Sequence, residues 1–129
     1  MNGWIKLYRK ILDSDMYKSM TVRQRLVWIT CLLLASHTEH VWEYKGELYR
    51  VAPGEFVTSL QSLCKHCGPD MTIQSVRTAL KKLVAWGCIQ VRSTKINTVI
   101  NIVNWDKYQG EDETPNIQTN KEPTKSQQR

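Results

Sequence analysis

Between residues 72 and 97 the chain gathers side chains able to hold phosphates and reach base edges. Thr72, Gln74, Ser75, Arg77, Thr78, Lys81 and Lys82 come in one short run, and Arg92, Lys95 and Asn97 follow it. The amide of Gln74 suits an adenine edge, and the guanidinium of Arg77 suits a guanine or a phosphate. Lys81, Lys82, Arg92 and Lys95 suit phosphates. A charged run of this kind is often no more than a solvated helix face. Here the neutral donors and acceptors Gln74, Ser75 and Thr78 share the face, at the end where a recognition helix meets bases. No Gly-rich phosphate loop, nucleophile elbow or His-Glu-x-x-His accompanies them, so neither enzymatic activity nor a cofactor is expected.

Those groups act together only if a helix presents them on one face. Thr72 can cap such a helix, with Ile73, Val76, Leu80, Leu83 and Val84 as its inward stripe. Gln74, Ser75, Thr78, Lys81 and Lys82 then lie opposite, with Arg77 on the flank, and Gly87 ends the helix. Upstream, Thr58 or Ser59 can cap a shorter helix over about Leu60–Cys67, with Gln61 as a capping-box partner for Thr58. Gly68 and Pro69 close it: a left-handed residue is commonly needed there, and proline cannot extend a helix. Downstream, Cys88–Arg92 and Thr98–Val103 are β-branched runs of strand length around a Ser93–Asn97 tip. Arg92, Lys95 and Asn97 belong on or near that hairpin, and Glu55–Thr58, after the Pro53-Gly54 turn, is a candidate third strand. The expected fold is mainly α with a small β-sheet, an α+β winged helix-turn-helix.

With 129 residues and 41% hydrophobic content, one core is the expectation, over residues 1–109. From Gly110 onward the composition turns acidic and then Thr-, Asn-, Gln-, Lys- and Pro-rich, so residues 110–129 are expected to be a disordered polar tail or linker. The net charge is +6, and residues 57–105 hold a surplus of five cations. This favours a phosphate backbone as partner without specifying a sequence. The longest apolar stretch, around Leu26–Ala35, is far short of the roughly 20 residues a membrane span needs. The expected location is cytoplasmic.

Other segments add architecture. Trp4, Leu7, Tyr8, Ile11 and Leu12 have the spacing of an apolar stripe on a first helix. Asp13 and Asp15 would then fall in a solvated turn. Thr21 and Gln24 make a capping box for a second helix to about Ser36, apolar on nearly every side. Such a helix is either the centre of the core or has one face against a partner subunit, so a homo-oligomer is expected. Residues 40–53 suggest a hairpin around Lys45-Gly46 or an extended arm, whose Trp42, Tyr44 and Tyr49 pack on the domain's helices or on another copy. Trp105 and Tyr108 read as core residues. Cys64 and Cys67 with His37, His40 and His66 offer zinc ligands on paper. Cys64 nevertheless faces inward on its helix, where cysteine behaves as a small hydrophobe, so no metal is expected.

The chain resembles the N-terminal winged-helix domain of phage replisome organisers and DnaD-type primosomal initiators. The resemblance rests on Gly3-Trp4-Ile5-Lys6-Leu7-Tyr8-Arg9-Lys10-Ile11-Leu12, on Pro53-Gly54-Glu55-Phe56-Val57-Thr58-Ser59, on the helix pair from Leu60 to Gly87, and on Asn104-Trp105-Asp106-Lys107-Tyr108-Gln109. It implies a bacterial or phage protein that binds DNA, helps start replication by recruiting a helicase loader or another replisome protein, and self-associates. Members typically continue into a second, helical domain. A winged-helix transcription regulator, or an oligomerisation module with little affinity for DNA, remain the alternatives.

Overall fold

The computed structural model describes residues 3–94 and 97–109. A 3-10 turn over Arg9–Asp13 leads into helices α1 (Asp15–Ser19) and α2 (Val22–Leu34). Strands β1 (His40–Tyr44), β2 (Glu47–Val51) and β3 (Glu55–Thr58) follow, then helices α3 (Leu60–Cys67) and α4 (Ile73–Ala85). Strands β4 (Ile89–Ser93) and β5 (Thr98–Ile102) precede the short helix α5 (Trp105–Gln109). Among the described residues the architecture is α+β, with a two-stranded antiparallel sheet, β1-β2, and a three-stranded antiparallel sheet in the order β3-β5-β4.

Local chemistry accounts for the helix starts. At α2 the capping box forms in full: Thr21 Oγ1 accepts from the Gln24 N–H at 3.2 Å and Gln24 Oε1 accepts from the Thr21 N–H at 2.9 Å. Thr72 Oγ1 caps α4 by accepting from the Ser75 N–H at 3.0 Å. Ser59 Oγ caps α3 by accepting from the Ser62 N–H at 3.1 Å. The expected Thr58–Gln61 box does not form, because Thr58 is the last residue of β3 and its hydroxyl bonds to the Ser59 carbonyl. Gly68 has φ +114°, a conformation that L side chains rarely adopt.

Val27, Trp28, Cys31 and Leu32 of α2 meet Val76, Ala79, Leu80 and Leu83 of α4 in one core with Leu63, Phe56, Ile89, Ile100 and Ile102. The inward stripe of α4 is therefore centred one step from the expected one. Ala79 belongs to it, while Ile73 and Val84 lie at its edges, 38% and 44% exposed. The strand register sets Phe56 opposite Ile100 and Ile89 opposite Ile102.

The expected first helix is absent. Residues 3–8 have no regular structure, and Trp4 is 76% exposed. The physical reason lies at the other end of the fold. Buried Gln109 donates through Nε2 to the Lys6 carbonyl at 2.6 Å and accepts through Oε1 from the Lys6 N–H at 2.7 Å. Both backbone groups of Lys6 are thus committed to a side chain 103 residues away, and neither is left for a helix. Ile5, from outside the expected stripe, and Ile11, from within it, pack on the core, while Trp4, Leu7 and Leu12 stay exposed.

The Pro53-Gly54 turn is a close approach. Gly54 has φ +88°, and a Cβ there would stand 2.7 Å from Trp105 Cβ. Trp105 is buried and meets the His37 ring edge-on at 5.2 Å, and Tyr108 meets Trp28 edge-on at 6.2 Å. Both side chains serve packing, as their sequence context suggests. The hairpin turns at Lys45-Gly46, both with positive φ, which suits a two-residue connection. On the hairpin Trp42 stacks on its cross-strand partner Tyr49 at 5.6 Å, so the two rings partly cover each other.

Candidate nucleic-acid interface

The outer face of α4 carries a connected polar row. Gln74 Oε1 accepts from Arg77 Nη1 at 3.0 Å, and Gln74 Nε2 donates to Thr78 Oγ1 at 3.3 Å. These are the three- and four-residue spacings at which helix side chains meet. All three residues are exposed, so the row holds its groups together without removing them from solvent. One turn on, Lys81 is exposed, and Lys82 lies over the Trp86 ring with Nζ 5.1 Å from its centroid. Thr72 and Ser75 are engaged with each other, their hydroxyl oxygens 2.8 Å apart, which ties them to capping before any ligand.

Arg92 and Asn97 belong to the β4–β5 hairpin. Arg92 Nη1 donates to Glu55 Oε2 at 3.1 Å, a pair in which the carboxylate is mostly covered and the guanidinium is half exposed. Glu55 is fixed further, because its other oxygen accepts from the Ala52 N–H at 2.8 Å. Asn97 helps shape the hairpin tip: its N–H donates to Thr94 Oγ1 at 3.0 Å, and its carbonyl accepts from the Thr94 N–H at 2.8 Å. Lys95, also expected at this tip, lies outside the described residues. The α4 residues therefore share one surface, while Arg92 and Asn97 stand on a separate element with structural bonds of their own.

A residue that sequence reasoning passed over joins the α4 face. Thr21, Arg23 and Gln24 at the start of α2 line a cleft of about 340 Å³ together with Thr72, Gln74, Ser75 and Thr78 of α4. The Thr21 capping box fixes Arg23 in the first turn of α2, and this much is local. That this turn lies beside α4 depends on tertiary packing, which spacing does not carry.

The sulfur groups are arranged for packing. Cys64 Sγ donates to the Met71 carbonyl at 3.4 Å, Cys67 Sγ to Thr30 Oγ1 at 3.6 Å, and Cys88 Sγ to Met16 Sδ at 3.0 Å. Burial pushes the Cys31 thiol up to about 12 and the Cys88 thiol up to about 11, which keeps both protonated. Among the described residues, no group of three or more His, Cys, Asp and Glu side chains is placed to hold a metal ion. No described helix is long and apolar enough to cross a membrane.

A family model described as the N-terminal phage replisome organiser matches residues 4–129. Comparison with curated proteins and with solved structures gave no significant match.

Proposed function

Because the chain belongs to the N-terminal phage replisome organiser family, we propose that it is the DNA-binding part of a phage replication-initiation protein, built as a winged helix-turn-helix. In this reading α3 supports, α4 enters the major groove, and the β4–β5 hairpin is the wing. Gln74 and Arg77 meet base edges or phosphates. Thr78, Lys81 and Lys82 continue the contact along the helix, and Arg92, Lys95 and Asn97 serve the wing. Thr72 and Ser75 contribute by holding the first turn of α4. The partners are DNA, another copy of the chain, and a replisome protein such as a helicase loader. Catalysis plays no part.

The observation that carries this reading is the ordered row Arg77–Gln74–Thr78 continued by Lys81 and Lys82 on one exposed face of α4. Preorganised donors on a helix lose less freedom when they bind. The test is fluorescence anisotropy with labelled duplex and single-stranded DNA over a salt series, comparing the parent with a Lys81→Ala, Lys82→Ala double variant. Binding with a steep salt dependence is expected, with a log–log slope shallower by about two in the variant. Equal binding by the two proteins would remove α4 from the interface.

A second reading, an interaction module, draws on a different observation. Val22, Leu26 and Leu33 leave an exposed apolar stripe on α2. It predicts an oligomer that withstands salt, together with weak DNA binding at every salt concentration.

A further inference from the structure

Two arginines of α2, two positions apart, are used differently. Arg25 donates through Nε to the Tyr17 carbonyl at 3.2 Å and through Nη2 to the Lys18 carbonyl at 3.3 Å, and its guanidinium lies 4.6 Å from the Tyr17 ring centroid. It ties α1 to α2. Arg23 is exposed, and its side chain makes no hydrogen bond or ion pair among the described residues. It lines the same cleft as Gln74, Thr78 and Ala79 of α4. No acidic side chain lines that cleft.

The dimensions of DNA decide what such a group meets. An α-helix with its side chains is about 10–12 Å across and fills a major groove about 12 Å wide. Packed helices run about 8–10 Å apart. The body of α2 packs on the inward side of α4, but its first turn shares a cleft with Gln74, Ser75 and Thr78 of the outer face, which sets that turn on the side of the groove wall, where the phosphates are. We propose that Arg23 is a backbone-phosphate contact that carries the DNA surface of α4 across the cleft onto α2. A guanidinium suits the role, since its planar fork can take two oxygens of one phosphate. The proposal rests on the reading of α4 as the groove-entering helix, and it assigns α2 a direct part in binding beyond its place in the core.

The test is duplex anisotropy with the full chain over a salt series, for the parent, Arg23→Ala, Arg23→Lys and Lys107→Ala. Lys107 is exposed on a cleft that shares no residue with this one, so its removal controls for net charge. The expected result is a log–log slope shallower by about one in Arg23→Ala, and the parent's slope in Arg23→Lys and Lys107→Ala. The unfolding midpoint of Arg23→Ala should match the parent's. A parental slope in Arg23→Ala overturns the proposal while leaving α4 in place, as does an equal loss in Lys107→Ala. A parent that binds no duplex at low salt overturns the α4 reading and this proposal with it.

Discussion

Glu55 is claimed by two partners: one carboxylate oxygen holds the Ala52 N–H and the other holds Arg92. In the proposed complex a phosphate competes with Glu55 for that arginine. Glu55→Gln keeps an acceptor for Ala52 and releases the charge on Arg92, so duplex affinity should rise several-fold and the salt slope should steepen; an unchanged slope would take Arg92 off the DNA. At the neighbouring position, Gly54→Ala adds a Cβ 2.7 Å from Trp105 at φ +88°. Backbone strain alone costs about 1–3 kcal/mol there, and the contact adds to it, which urea unfolding would register. Cys31 gives a pH dependence. Its folded thiol holds its proton from the ordinary value of 9.0 up to about 12, so the unfolded chain ionises first as pH rises. Stability is full below about pH 9 and should fall above it, and Cys31→Ala should flatten that alkaline loss in unfolding measurements. Single residues were legible from the sequence where their role is local. Thr21, Thr72 and Gly68 act on groups within four residues, and their types announce it. The Glu55–Arg92 pair spans 37 residues and leaves no comparable trace.

At the scale of elements, the apolar spacing of residues 4–12 is compatible with a helix that the fold does not make. Periodicity reports which residues could share a face; it does not report a buried amide that takes a backbone donor and acceptor at the same point. Gln109 does this to Lys6, and the contact joins the opening and closing stretches of residues 3–109. Two of the segments that carry the family resemblance thus meet in space. Gln109→Ala removes both bonds and leaves the Lys6 groups to find water. A loss of about 1–3 kcal/mol is expected. Hydrogen exchange at the Lys6 amide should quicken far more than exchange in the middle of α4, which separates release of the N-terminal segment from global unfolding. α2, α4 and the β4–β5 hairpin were legible because caps, periodicity and turn residues all agree there. Where Gln109 opposes the pattern, the long-range contact decides.

At the scale of the molecule, two surfaces make opposite demands on salt. The α4 face, with Arg23 beside it, would bind through charge and release counterions, so its affinity falls steeply as salt rises. The α2 stripe of Val22, Leu26 and Leu33 is apolar and continues the core helix to the surface. Burial of apolar area does not weaken with salt, so a contact made there should persist or tighten. The sequence foreshadowed this in a helix apolar on nearly every side, but which side stays uncovered depends on how α3 and α4 pack on it. Sedimentation of the full chain should therefore show self-association at low and high salt alike, and a Leu26→Glu, Leu33→Glu double variant should run as the monomer. If the two surfaces are independent, that variant keeps the parent's salt slope for duplex DNA while its apparent affinity drops, because linked copies raise each other's effective concentration on one duplex. A variant that loses both the oligomer and the slope would instead tie DNA binding to assembly, with the contact surface formed across two copies. A parent that is monomeric at every concentration would leave the α2 stripe to a partner of another kind.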